Sequence, residues 1–192
     1  MSRADAIARA REHFQSGEFL KILDRRVGYR TESLQPNSGQ ALRAYLVEDL
    51  QPAFAELGFT TRLVESPSGK GPYLLADYRE DARLPTVLTY GHGDVVDGME
   101  GQWRDNLDPW RTTVRGERVY GRGTADNKGQ HSINLSALSM VRAARGGRLG
   151  FNAKFIIETG EEIGSPDLRA VCEGLREELK ADLFVASDGP RL

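Results

Sequence analysis

The chain has 192 residues, 39% of them hydrophobic, with 26 Lys plus Arg against 28 Asp plus Glu and a formal net charge of −2. That length builds one sizeable core and is short for two full domains. Near-neutrality leaves no broad basic surface, which argues against nucleic acid as a partner.

In chain order, Ser2 is placed to cap a first helix running to about His13. This stretch, MSRADAIARAREHF, is charged throughout and lacks the apolar run of a signal peptide. A second helix, GEFLKILDRRVGY, follows Gly17. In NSGQALRAYLVEDLQPAFAELGF, Leu42, Leu46, Leu50, Phe54 and Leu57 recur at helical spacing. Pro52 predicts a kink or break there, and Gly58 a C-terminal stop. The period then changes. FTTRLVES and PYLLADYRE alternate like strands, and the short apolar PTVLTY reads as a strand buried on both faces. RTTVRGERVYGRG reads as a hairpin turning at Arg115-Gly116. A helix is expected from Asp126 to about Ala144, with Ile133, Leu135, Leu138 and Val141 as its apolar positions. FNAKFIIE is a further strand, Ser165-Pro166 a helix start with proline at the first helical position, and ADLFVAS a last strand.

Strands alternating with helices predict an α/β fold, a layered, mostly parallel sheet with helices on both faces. No internal repeat or low-complexity tract interrupts it. No segment approaches the ~20 apolar residues of a membrane span. The single cysteine, Cys172, excludes a disulfide framework within the chain and fits a reducing, cytoplasmic setting. The sequence stops at SDGPRL, just after a strand and without a closing helix, which reads as a cut.

In open α/β sheets, functional groups gather beyond the carboxyl ends of strands. That rule selects His92 and Asp94 after PTVLTY, Glu161 and Glu162 after FNAKFIIE, and Asp188 after ADLFVAS. Asp126 joins them, opening a helix after the Gly-rich YGRGTADNKG. Five carboxylates and one imidazole on one rim would repel and raise each other's pKa unless cations balance them. Imidazole plus carboxylate oxygens suit zinc, and also manganese or cobalt. Two divalent ions fit the set: His92 and Asp188 on one, Glu162 on the other, Asp126 bridging both. Asp94, two residues past His92, is placed to orient its ring, and Glu161 to act as general base.

Each group taken singly has an ordinary explanation. His92 reads as a turn histidine, Glu161-Glu162 as a solvated pair before a helix, Asp126-Asn127 as a cap, and Asp188-Gly189-Pro190 as a turn. Their coincidence at strand ends reverses that reading. His13 is expected at the surface, His131 in packing or capping contacts, Cys172 buried on a helix, and Trp103 and Trp110 in core or interface packing.

The motifs GHGDVV, GRGTADNKG, ETGEEIGS and SDG, in this order, resemble the co-catalytic zinc peptidases and deacylases. That family spans carnosine dipeptidases, carboxypeptidase G, aminoacylase, acetylornithine deacetylase and succinyl-diaminopimelate desuccinylase. The resemblance runs from about Leu34 to Leu192. It implies the same roles for His92, Asp126, Glu162, Asp188, Asp94 and Glu161, and a cis Asp126-Asn127 peptide. DNKGQ, EEIGS and aspartate at position 188 resemble the dipeptidase branch. The family also implies about twice this length, a lid or dimerisation domain through which a homodimer forms, and a last histidine on the second metal. Residues 1–192 therefore read as the N-terminal part of the catalytic domain, with those parts missing. The expected activity is hydrolysis of amide bonds in small substrates, dipeptides first. The alternatives are an N-acyl amino acid deacylase and a truncated, non-catalytic metal-binding module.

Overall fold

A computed structural model describes residues 3–188, so the Ser2 cap and the Gly189-Pro190 turn lie outside the described residues. In chain order the strands are β1 (Thr60–Val64), β2 (Tyr73–Tyr78), β3 (Thr86–His92), β4 (Thr113–Arg115), β5 (Arg118–Tyr120), β6 (Asn152–Glu158) and β7 (Leu183–Ala186). The helices are α1 (Arg3–Gln15), α2 (Glu18–Val27), α3 (Gly39–Ala44), α4 (Gln51–Glu56), α5 (Lys128–Ala144) and α6 (Leu168–Gly174).

The main sheet has the order β1-β2-β6-β3-β7. Only β2 runs against its neighbours, so β1, β6, β3 and β7 share one direction, as the expected mostly parallel layer requires. β4 and β5 form a separate hairpin. Its turn falls on Gly116-Glu117, because Arg115 pairs with Arg118, one residue later than the sequence suggests.

Alternation along the central strands feeds two cores. Leu74, Ala76, Ala153, Phe155 and Ile157 pack against Tyr45, Leu46, Leu50 and Phe54 and against Leu135 of α5. Tyr73, Leu75 and Ile156 face the other way, onto Val171 of α6, with Leu88 and Tyr90 alongside. Helices thus cover both faces. On α5, Leu135 is buried and Leu138 and Val141 are half-buried, but Ile133 is 47% exposed and belongs to the outer face, contrary to expectation. β3 is buried only towards its carboxyl end, not along its length, because its partner β7 is a thinly covered edge strand. Leu183 and Phe184 on β7 are 59% and 62% exposed.

Pro52 does not end the helical run, but the α-helical pattern is interrupted just before it. The residues between α3 and α4, Tyr45–Leu50, adopt π-helical geometry, and Gln51 N–H bonds Leu46 O five residues back. Widening the turn makes room for the pyrrolidine ring and for the hydrogen bond that proline cannot donate. Gly58 and Phe59 then close the helix by bonding Ala55 O and Phe54 O, a Schellman arrangement. Ser165 does not cap α6. It has φ +48 and turns its hydroxyl to Glu158, so the helix starts three residues later, after Asp167. His13 is half-buried against Phe19 rather than on the surface, and Cys172 is half-buried rather than buried.

The π-helical segment carries Asp49, which is 0% exposed at its side chain and accepts 2.7 Å bonds from Arg26 Nε and Arg25 Nε. Arg26 is buried as well and also donates to Ser132 Oγ of α5 at 2.7 Å, so one guanidinium joins α2, the π segment and α5. Removing one partner of such a pair strands a buried charge. Asp49→Ala should therefore lower stability by about 3–5 kcal/mol, while Asp49→Leu combined with Arg26→Met should cost clearly less. Urea unfolding of both variants measures the difference.

Candidate metal centre

β3 delivers His92 at its carboxyl end, flanked by Gly91 and Gly93. The glycines share the face opposite His92. A Cβ on Gly93 would lie 2.9 Å from the Tyr45 ring, and one on Gly91 would lie 3.0 Å from Asn127 Oδ1. The π-helical segment and the start of α5, both on this face, press so close to the strand end that a side chain there would have to displace them. Beyond the strand, Thr31 Oγ1 donates to Gly93 O at 2.7 Å and Val95 pairs with Thr31, which fixes the turn carrying Asp94.

The His92 ring is fully buried and its two nitrogens face different groups. Nδ1 lies 3.1 Å from Asp94 O and 3.3 Å from Asp94 Oδ1. Nε2 faces Asp126 Oδ1 at 2.9 Å, Asp188 Oδ2 at 3.7 Å and Glu161 Oε2 at 4.0 Å. Among the described residues, His92, Asp126 and Asp188 each offer one ligand atom, all within 4.8 Å of one another. An imidazole nitrogen and two carboxylate oxygens so grouped are a donor set for a divalent cation.

Asp94 holds more than the imidazole. Its Oδ1 accepts Glu161 N–H at 3.2 Å and its Oδ2 accepts Glu162 N–H at 3.0 Å. The turn Glu161–Ile163 is thereby hung on the carboxylate that orients His92. Glu162 is near the cluster without joining its ligand atoms: burial raises its pKa most, and the Asp126 charge comes next. The structure thus gathers His92, Asp94, Asp126, Glu161 and Asp188, with Glu162 beside them. The Asp126-Asn127 peptide is cis, as the resemblance implies.

Electrostatics follow from this crowding. Burial opposes a charge on His92, but hydrogen bonds to Asp126 and Asp94 outweigh it and push the imidazole up to about 10. The same bond to His92 holds Asp126 below the ordinary carboxylate range. Burial raises Glu161, with the Asp188 and Asp126 charges adding to it.

Residues not singled out in the sequence support the site. Glu158, which pairs with His92 across β3 and β6, is fully buried, and burial raises its pKa. Its Oε1 accepts Tyr90 Oη of β3 at 2.6 Å and Ser165 Oγ at 2.9 Å, tying β3 and the far end of the Glu161–Glu162 loop to the end of β6. A glutamate ending a β-strand of alternating apolar residues is the signal that could have found it. Lys128 is fully buried, and burial pushes its ammonium down to about 7. Its Nζ donates to Arg26 O at 3.0 Å and Tyr29 O at 2.5 Å, tying the start of α5 to the C-terminal end of α2 and the turn after it. Trp110 is buried and donates to Glu100 at 2.6 Å, and Trp103 donates to Gly98 O at 2.7 Å, so both serve packing.

With this geometry in hand, comparison with known proteins is direct. Residues 88–191 match the model of peptidase family M20/M25/M40, and the chain belongs to that family of hydrolases. The mouse Beta-Ala-His dipeptidase is 35% identical over 161 residues, 77% of this chain and 32% of that protein. The yeast protein named probable di- and tripeptidase DUG2 is 30% identical over 179 residues, 86% of this chain and 20% of that protein. The crystal structure of human carnosine dipeptidase 1 superposes with a TM-score of 0.86 at 30% identity, covering 98% of this chain and 41% of that one. The chain therefore spans about a third or less of the curated relatives named. No helix among the described residues is long and apolar enough to cross a membrane.

A cation on His92 Nε2 must displace the proton that the acids stabilise. Because the imidazole is raised from its usual 6.5 to about 10, that proton is present throughout the window between those values. Apparent cation affinity should rise across this window, by about tenfold per pH unit for one proton released. Calorimetry in buffers of different ionisation enthalpy counts the proton. Affinity independent of pH in this window would mean that no proton is displaced from His92 there.

Proposed function

We propose that the protein hydrolyses the amide bond of small peptides, dipeptides in the first place, with divalent cations at the His92–Asp126–Asp188 cluster. The observation that carries this reading is the placement of Glu161 Oε2 4.0 Å from the same His92 nitrogen that faces Asp126 and Asp188. A proton acceptor therefore stands beside a cation donor set. The names of the mouse and yeast relatives support a short peptide as substrate.

His92 and Asp188 would hold one ion, with zinc favoured by the donor chemistry. Asp126 would reach towards a second ion, held by Glu162. Further donors to that ion would lie in the additional length the relatives possess. The ions would supply polarisation of the scissile carbonyl and acidification of a water. The remaining work falls to side chains. Asp94 keeps the Nδ1 face of His92 engaged so that Nε2 points to the ligand cluster. Glu161, its pKa raised by burial, takes a proton from the attacking water and returns it to the leaving amine. In this reading residues 1–192 supply the N-terminal part of the catalytic domain.

Two neighbouring glutamates give a sharp test. Glu161→Gln keeps the side chain's size and removes the acceptor, so kcat should fall by about 10²–10⁴ while bound metal stays near normal. Glu162→Gln should lose metal first and activity with it, with partial recovery at high zinc. Metal analysis beside kcat, on dipeptides and on N-acetyl amino acids in parallel, decides both the roles and the substrate class. The opposite pattern, Glu161→Gln shedding metal and Glu162→Gln keeping it, exchanges the two assignments.

A further inference from the structure

His131 lies on α5 beneath the site, fully buried, and takes no part in the ligand cluster. Its surroundings fix its chemistry from the backbone outward. Asn127 Oδ1 lies 3.3 Å from His92 N, and Asn127 Nδ2 lies 3.2 Å from Ser187 O. A backbone N–H only donates and a backbone carbonyl only accepts. The Asn127 amide therefore has one orientation, with its oxygen towards β3 and its nitrogen towards the end of β7. Gln130 Oε1, 2.5 Å from the same Nδ2, agrees with that assignment.

His131 Nδ1 lies 3.4 Å from Asn127 Oδ1, an oxygen that only accepts, so Nδ1 must carry the proton. Nε2 is then a lone pair. Facing it at 2.5 Å is Tyr45 Oη, from the π-helical segment, which donates. Burial raises the tyrosine's pKa and lowers that of His131, so the hydroxyl keeps its proton and the ring stays neutral. The result is a one-way chain: Tyr45 O–H to His131 Nε2, His131 Nδ1–H to Asn127 Oδ1, Asn127 Nδ2–H to Ser187 O. The last link ends one residue before Asp188, and Asn127 also grips the backbone of His92.

We propose that His131 is a positioning residue. As the neutral Nδ1–H tautomer, with Tyr45 Oη on its other nitrogen, it helps to hold the Asn127 amide in the orientation that links the backbones of His92 and Ser187. The tautomer rests on the hydrogen-bond geometry together with the burial of the Tyr45–His131 pair, whereas its effect on cation affinity rests on the metal-site reading.

The test separates the two. In the intact protein labelled with 15N-histidine, long-range 1H–15N spectra identify the protonated ring nitrogen of His131. The wild-type ring should be Nδ1–H, and Tyr45→Phe, which removes only the donor to Nε2 and leaves Asn127 Oδ1 facing Nδ1, should keep it Nδ1–H. An Nε2–H or doubly protonated wild-type ring overturns the proposal whatever the metal does. Cobalt titration, read by its visible absorption, then tests the consequence. His131→Leu should weaken binding by about tenfold or more, within the range for partners that orient metal ligands. His131→Asn, which returns an N–H donor at the Nδ1 position, should recover most of it. Equal loss in both variants, with circular dichroism unchanged, would mean that bulk rather than the donor matters and would overturn the positioning role. A wild-type protein that binds no cobalt would refute the metal reading while leaving the tautomer assignment to the spectra.

Discussion

The fold converges on one buried carboxylate. Asp94 is wholly withdrawn from water, and a charge there survives only if donors surround it. The donors come from separate pieces of chain: the His92 ring on one side, and the Glu161 and Glu162 amides on the other. The desolvation cost of the anion is met only when the ends of β3 and β6 stand side by side. Secondary structure, register and site chemistry are thus coupled through a single residue. The Gly93 N–H to Glu158 O bond, at 2.8 Å, extends the parallel ladder to that point and no further.

Much of this was legible from residue order. The change from helical to alternating period marked the sheet, and the clustering of acids and a histidine after apolar runs marked the rim. What stayed hidden depended on partners distant in sequence. The reversal of β2 is invisible because a strand's alternation looks the same in either direction. Pro52 looked like a break because the sequence does not show that a π-helical turn can absorb it. Ser165-Pro166 looked like a cap because Glu158 competes for the serine hydroxyl only in three dimensions. Ile133 fitted the apolar stripe of α5, yet faces outwards.

The site itself shows the same division. That His92, Asp126 and Asp188 gather in one cluster was readable from residue type and position. The hold of Asp94 on the Glu161 and Glu162 amides was not, since backbone donors leave no trace in composition. Glu158 was missed because it sits inside a strand rather than after one. Lys128 was passed over, and His131 was read only as a packing or capping residue, for a different reason. Polar residues on a helix are ordinary until burial shows that each must be fully satisfied.

The order of strands has a consequence for how the site comes into being. β3 lies between β6 and β7, and both pairings are parallel and join segments far apart in the chain. Such contacts carry a large loop-closure cost before they return any free energy, so they form late and slowly. His92 ends β3, Asp188 follows β7 and Asp126 precedes α5, so the three groups meet only after β7 has paired with β3 and α5 has packed on the sheet. No local fragment holds half of the centre in advance. On the proposed metal-site reading, cation capture would be an end-point of folding, and the rate at which a refolding chain takes up metal would time the closure of the sheet.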